Sequence, residues 1–290
     1  MTANVPVLSC GPLANIDGFR AVVHAVFPNS LYLEPRHGPL MVIHDVAHGH
    51  TPTSLLVPDA RALKRNVRRG DPVAGRAGYL RINDVLFDAR HAPRWHPPPP
   101  PFPTPSCPSP LWRSRLWRSG SVPGPVVDAE ARVGADCRRL VTLLMTAQTA
   151  GVPETLLSMI GAGPGLTPSG DDAVVAVLAV LHRARRIRPL AIPLGMLTRH
   201  LPALLHRTTP ISAHYLSLAQ QGHFGEHLTQ LVDAALTNEP EDLHGSLIDR
   251  VLRTGATSGA DVLAALAIAL SIIEGLSVAD IAARDIRGAA

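Results

Sequence analysis

Gly161-Ala-Gly-Pro-Gly-Leu-Thr-Pro-Ser-Gly-Asp-Asp172 is a loop of small, hydroxylic and acidic residues that leads directly into an apolar run, Ala173–Leu181. The alternating glycines permit backbone conformations that residues with side chains resist, so successive N–H groups can converge on one point. The apolar run predicts a buried helix whose positive N-terminal end faces the loop. We therefore predict a loop that binds an anionic group through Gly163, Gly165, Thr167, Ser169 and Gly170.

Two carboxylates, Asp171 and Asp172, end this loop and are the candidate catalytic residues. With Asp261 they are also candidate ligands of a divalent cation such as magnesium, because hard cations prefer carboxylate oxygens. In the structural alternative, Ser169 and the aspartates only cap the helix. The residues alone leave both interpretations open and establish no cofactor.

Two further segments have a similar composition. Gly255-Ala-Thr-Ser-Gly-Ala-Asp261 precedes the apolar run Val262–Ile273, and Thr208-Thr209-Pro-Ile-Ser212 opens another predicted helix. If these helices begin at a shared place, their N-termini add positive potential there. Capping remains the alternative, since the serine and aspartate of the first segment have capping-box spacing. The added candidate substrate contacts are Thr209, Ser212, Ser258, Gly259 and Asp261.

The distribution of strands and helices predicts an α+β protein. Residues 1–95 favour a small β-rich domain, a sheet or partly open barrel, because short β-branched runs alternate with Gly, Pro and Asn. The predicted strands are Phe19–Val26, Ser30–Leu33, Pro39–Ile43, Thr53–Val57 and Tyr79–Phe87, with a helix over Ala60–Arg69.

A proline-rich segment separates this region from a helical one. Nine of the fourteen residues from Pro97 to Pro110 are proline, so residues 96–125 are predicted to be a linker or insertion. Residues 126–290 are predicted to form a mainly α-helical domain that carries the glycine-rich loop. The candidate helices are Asp128–Ala150, Pro153–Ile160, Asp171–Ile187, Pro189–Leu205, Ser212–Gln221, Phe224–Leu236, Glu239–Leu252, Gly259–Glu274 and Val278–Ile286.

Bulk composition excludes several functional classes. The formal charge of the 290 residues is +4, and the basic clusters lack interleaved aromatic residues, so no nucleic-acid partner is predicted. The longest apolar run is too short for a membrane span, and no secretory signal is recognisable. Three widely spaced cysteines indicate neither a disulfide framework nor a zinc site. These features predict a cytoplasmic protein, and none of its fourteen histidines is assigned a catalytic role.

Taken together, the three polar segments resemble the oxamate carbamoyltransferase subunit AllH family, formerly a domain of unknown function. Phe27-Pro-Asn-Ser-Leu-Tyr-Leu33 and the stretch around Asp88 and Trp95 also fit it, so the resemblance covers most of the chain outside residues 98–125. It implies one subunit of a multi-subunit enzyme of purine and allantoin catabolism. That enzyme exchanges a carbamoyl group between oxamate and carbamoyl phosphate. The implied partners are a small anionic substrate of this kind and the other subunits of the complex.

Two alternatives stay open at this point. The chain would be a non-catalytic scaffold or metabolite-sensing subunit if the loop binds an anion without turnover. Magnesium-dependent phosphoryl transfer is less favoured, because the only lysine, Lys64, lies far from the loop and no Walker-type lysine is present.

Overall fold

A computed structural model describes residues 3–61, 66–101, 127–185, 191–237, 241–255 and 257–270. The chain forms two compact units. The first comprises residues 1–98 together with Gly225–His227, and the second comprises the rest of the chain. The described residues form a nine-stranded sheet and eight α-helices, which confirms the predicted α+β class.

The sheet is a curled half-barrel with strand order β1-β9-β8-β7-β3-β4-β5-β6-β2. The β1–β9 and β5–β6 pairs are parallel, and the other neighbours are antiparallel. The strands are β1 Ala3–Pro6, β2 Ser9–Cys10, β3 Arg20–Val26, β4 Ser30–Pro35, β5 Met41–Asp45, β6 Ser54–Val57, β7 Pro72–Arg76, β8 Tyr79–Ile82 and β9 Val85–Asp88.

The sheet curls because a very short connection links its two outermost strands. β1 and β2 lie at opposite ends of the strand order, yet only Val7 and Leu8 separate them. So short a segment can span only about 3.5 Å per residue, and the two ends of the sheet must approach each other. The Val7 N–H donates to Asp88 of β9 and the Leu8 N–H donates to Leu56 of β6, both at 2.8 Å. One short segment therefore joins the two ends.

The core of this unit comes from alternating strand positions, as half-buried strands require. Leu31, Leu33, Leu80, Ile82 and Phe87 are completely buried, while their neighbours along each strand are less buried or exposed.

Two predictions for this unit need correction. The single strand predicted over Tyr79–Phe87 is a hairpin, because Asn83 adopts a positive φ of 52° and reverses the chain between β8 and β9. The helix predicted over Ala60–Arg69 falls partly on residues 62–65, which lie outside the described residues. Its described positions are not α-helical.

The second unit consists of helices around one alanine- and leucine-rich core. Helix α3 lies at its centre and packs most extensively against α8, because the small side chains of both helices allow a close approach. The helices are α1 Val127–Met145, α2 Val152–Met159, α3 Ser169–Arg183, α4 Ala191–His200, α5 Pro210–Gln220, α6 Glu226–Thr237, α7 Glu241–Leu252 and α8 Ser258–Ala269. The first two residues of α6, Glu226 and His227, belong to the first unit.

The predicted helices agree with this set, with two exceptions. Pro189–Leu205 is not one helix, since α4 ends at His200 and a 3-10 segment, Leu201–Arg207, follows with a proline in its first turn. Val278–Ile286 and most of the predicted linker lie outside the described residues. Among the described helices, none has the length and apolar character needed to cross a bilayer.

Candidate functional site

The loop before α3 depends on glycine at three alternate positions. Gly161, Gly163 and Gly165 have φ values of +79°, +115° and +95°, in the left-handed region that favours glycine. A Cβ atom on Gly163 would also lie 2.8 Å from the Ser169 backbone nitrogen. Residues 163–166 are exposed to solvent, whereas Gly170 at the start of the helix is buried. The loop is therefore open at its tip and tightly packed at its base.

Several amide groups of the loop are available to a ligand. Within the described residues, the N–H groups of Gly163, Gly165, Leu166 and Thr167 donate no hydrogen bond to the protein. Exposed amides next to a helix N-terminus are the groups that bind anions in many proteins.

Asp171 holds this loop against the start of α5. It is only 1% exposed, and its Oδ1 accepts a hydrogen bond of 2.9 Å from the Gly161 N–H. Its Oδ2 accepts hydrogen bonds from the hydroxyls of Thr208 and Ser212, the latter at 2.6 Å. Both carboxylate oxygens are thus engaged by protein donors. Thr208 is not one of the predicted site residues, although it lies in the polar segment Thr208-Thr209-Pro-Ile-Ser212.

We expect Ser212→Ala to lower the free energy of unfolding by about 1.5–3 kcal/mol, because the variant removes a buried hydrogen bond to a charged group. Thermal and urea unfolding, followed by circular dichroism, measure the effect. Ser217→Ala is the matched control, since Ser217 lies on the same helix, is half-buried and has no such partner. Equal stabilities of the two variants would contradict the role assigned to Asp171.

The segments before α3 and α8 meet through their side chains. The Thr167 and Ser258 hydroxyls lie 2.5 Å apart, and the Ser169 hydroxyl donates to Asp261 Oδ2 at 3.0 Å. Asp172 lies in the same group. We call this group the aspartate–hydroxyl cluster; its members are Thr167, Ser169, Asp172, Ser258 and Asp261.

Asp172 is the unusual member of the aspartate–hydroxyl cluster. Its side chain is buried, and its Oδ2 has no hydrogen-bond partner within the described residues. Burial raises the pKa of this carboxyl well above its usual range, and the nearby charges of Asp261 and Asp171 raise it further. Hydrogen bonds from Ser258 and Thr167 oppose that shift without reversing it. A carboxyl in this environment retains its proton at higher pH than usual and can then donate a hydrogen bond.

The hydroxyls of this cluster do not cap their own helices. Neither α3 nor α8 has a side-chain cap bond, and the residues at their N-caps are Pro168 and Thr257. Thr209 does act as a cap, accepting from the Ser212 N–H at 3.0 Å, and its hydroxyl also donates to the Leu166 carbonyl. Capping therefore explains Thr209 but not Ser169 or Ser258.

The remaining predicted residues support the backbone. A Cβ atom on Gly170 would lie 2.0 Å from the Met159 carbonyl oxygen, and one on Gly259 would lie 2.3 Å from that of Val251. Within the described ranges, no group of three or more His, Cys, Asp or Glu side chains is arranged to hold a metal ion. Asp171, Asp172 and Asp261, the predicted magnesium ligands, therefore do not form such a group, in keeping with the hydrogen bonds that occupy Asp171.

Comparison with known proteins agrees with the sequence motifs. No solved structure matches the chain significantly. The model of one protein family matches residues 159–270, which include α3, α5, α8 and all three polar segments. That match confirms the predicted resemblance: over residues 159–270 the chain is similar to the family described as oxamate carbamoyltransferase subunit AllH.

Proposed function

We propose that this chain is a subunit of a carbamoyl-transfer complex of the oxamate type, and that the aspartate–hydroxyl cluster and the adjoining loop bind its small anionic substrate. The family match supports the place in a complex with other subunits. The observation that carries the site is Asp172, where two loops meet at helix N-termini: it is a buried carboxyl whose Oδ2 has no hydrogen-bond partner in the described part of the chain.

The donors and acceptors of the cluster suit one kind of ligand. Oxamate and carbamoyl phosphate both carry anionic oxygens and an N–H₂ group. The loop amides would donate to the oxygens, and the Ser258 hydroxyl would do so by turning from Asp172 to the ligand. The Asp261 carboxylate would accept from the N–H₂ group, which compensates for placing a negative side chain near an anion. A simple anion without N–H donors would lack that compensation.

Carbamoyl transfer requires that the two reactants are oriented and that the charge developing on the carbamoyl oxygen is stabilised. The amide nitrogen of oxamate bonds to the carbamoyl carbon, the bond from that carbon to the phosphate oxygen breaks, and the proton that the nitrogen loses passes to the departing phosphate. Charge develops on the carbamoyl oxygen as the nitrogen attacks. A protonated Asp172 would donate to that oxygen, and the helix N-termini would stabilise the departing phosphate. Asp171 then acts by positioning the loop, because its oxygens are occupied.

We expect Ser258→Ala to weaken oxamate binding about tenfold, since one hydrogen bond to an anionic ligand contributes about 1.5 kcal/mol. Binding to the purified full chain is measured by titration calorimetry with oxamate and with carbamoyl phosphate. Ser246→Ala is the control, because Ser246 lies on the exposed face of α7 and bonds only to the Leu243 carbonyl. Unchanged affinity in Ser258→Ala, or no binding of either compound to the wild type, would contradict the assigned site.

A second measurement separates catalysis from sensing. The chain is co-expressed with the products of adjacent genes, and carbamoyl phosphate consumption is assayed with oxamate present. Turnover that requires this chain supports the enzyme subunit. Binding without turnover in any combination would favour a metabolite-sensing or scaffold subunit instead.

A further inference from the structure

The strand unit contains a hydrogen-bonded chain of serine, histidine and glutamate. The Ser9 Oγ lies 2.6 Å from His50 Nε2, and His50 Nδ1 lies 2.8 Å from Glu226 Oε2. All three residues belong to the same compact unit, which includes Gly225–His227. Each distance is within hydrogen-bond range, and the two ring nitrogens face different partners. This is the order found when a serine is activated by a histidine that a carboxylate orients.

The protein fixes His50 from several directions. The His50 backbone N–H donates to Glu226 Oε2 at 3.0 Å, and the Glu226 N–H donates to the His50 carbonyl at 2.8 Å. The Trp95 ring stacks on the imidazole with a centroid separation of 5.1 Å and an angle of 10°. Trp95 is itself held next to the strand of Ser9, because the Trp95 backbone N–H donates to the backbone carbonyl of Cys10. The imidazole therefore has little freedom to turn away from the serine.

These contacts indicate which atoms of Glu226, His50 and Ser9 carry protons. The hydrogen bonds from His50 lower the pKa of Glu226 to about 2, so this side chain is an ionised acceptor at neutral pH. An ionised carboxylate cannot donate, and His50 Nδ1 must therefore carry the proton. An imidazole with its single proton on Nδ1 has a lone pair at Nε2, which can accept a hydrogen bond from the Ser9 hydroxyl. This arrangement prepares the serine oxygen as a nucleophile.

The three side chains are partly exposed to solvent. Ser9 is half-buried in the short strand β2, and the side chains of His50 and Glu226 are 16% and 25% exposed. A fully buried relay would be structural only, whereas a fully exposed one would lack an oriented base. The flat indole of Trp95 lies on one side of the imidazole and offers an apolar surface to an acyl group.

We propose that Ser9, His50 and Glu226 form a nucleophilic site that takes an acyl or carbamoyl group from small activated esters. Ser9 Oγ bonds to the carbonyl carbon while its proton passes to His50 Nε2, and Glu226 stabilises the imidazolium. The bond from the carbonyl carbon to the leaving group breaks, and the leaving group takes the proton from His50. Water then attacks the acyl-serine by the same route, which releases the acid and restores the hydroxyl. No ligand at the aspartate–hydroxyl cluster is needed for these steps.

The test is covalent labelling of the full wild-type chain with a fluorophosphonate probe and, separately, with p-nitrophenyl acetate. We expect one adduct per chain by intact mass, located at Ser9 by peptide mapping. Ser9→Ala should abolish it, and Glu226→Gln should slow labelling at least tenfold because the imidazole loses its ionised partner. Ser30→Ala, on strand β4 of the same sheet, should label like the wild type.

Peptide mapping locates the adduct in the wild-type chain, so the test does not depend on whether each variant folds. Circular dichroism of Ser9→Ala and Glu226→Gln shows whether lost labelling reflects lost structure. Absence of an adduct at Ser9 in a wild-type chain that is folded, under conditions that label a known serine hydrolase, would overturn the proposal. Equal labelling of Ser9→Ala and the wild type would do the same.

Discussion

Gly170→Ala is expected to lower the free energy of unfolding of the helical unit by about 3 kcal/mol or more. The new Cβ atom would lie 2.0 Å from the carbonyl oxygen of Met159, an atom of the backbone that cannot rotate away. Helix α3 would have to separate from the end of α2, and overpacking of this kind costs about 1–3 kcal/mol even where flexible side chains are involved. The displacement would also move Ser169 and Asp171, so ligand binding at the loop should be lost together with stability.

Gly195→Ala provides the comparison. Gly195 lies within helix α4, has no positive φ, and a Cβ atom there would meet nothing within 4 Å. Because alanine is a better helix former than glycine by about 1 kcal/mol, this variant should be as stable as the wild type or more stable. Urea unfolding followed at 222 nm measures both variants. A Gly170→Ala protein that unfolds at the same urea concentration as Gly195→Ala would refute the close contact between α2 and α3.

Asp172→Asn is expected to stabilise the protein at neutral pH. The pKa of Asp172 is raised in the folded state, so between the unfolded and folded pKa values the folded state binds more protons. Stability contributed by this group is then present at low pH and falls by about 1.4 kcal/mol for each pH unit between the two values. Asparagine keeps the shape and accepts the same hydroxyls but has no charge to bury. The melting temperature should be higher than that of the wild type at pH 7, and the gain should vanish below about pH 4, near the ordinary pKa of an aspartate.

The same variant should impair function. Asparagine replaces the O–H donor of a neutral carboxyl by a weaker amide N–H donor, and we expect about a tenfold loss of carbamoyl transfer in the assembled complex. Asp249→Asn on the exposed face of α7 is the control and should change neither stability nor activity by a measurable amount. Full activity in Asp172→Asn would exclude an essential role for this residue, and a lower melting temperature at neutral pH would contradict the raised pKa of its buried carboxyl.

The helical unit and its candidate site were predictable because their signals are local. Apolar periodicity, prolines in first turns and glycines after last turns define most of the helices within a few residues. The loop before α3 is likewise a continuous stretch. What the sequence could not show is that Ser169 and Ser258 bond across the two loops rather than capping their helices. Capping and cross-loop contacts need the same residue types at the same spacing, and only the packing of α3 on α8 decides between them.

The strand unit was harder to predict, because its turns and contacts depend on residues that are distant in the sequence. The turn at Asn83 was hidden inside a run that alternates like one strand, and β1, β2 and β7 were not predicted. The Ser9–His50–Glu226 chain has no local signature at all, because its members are 41 and 176 residues apart. A histidine's role depends on what its ring nitrogens contact, and those contacts are set by the tertiary structure.

Because Val7 and Leu8 connect β1 directly to β2, residues 3–10 protect both ends of the sheet. The same few residues supply the outermost strand at each end of the sheet, so they shield both β9 and β6. Detachment of this one segment would uncover both strands at once, leaving two unpaired backbone rows able to recruit another molecule. We therefore expect loss of this one segment to raise the tendency of the strand unit to aggregate through both ends of its sheet.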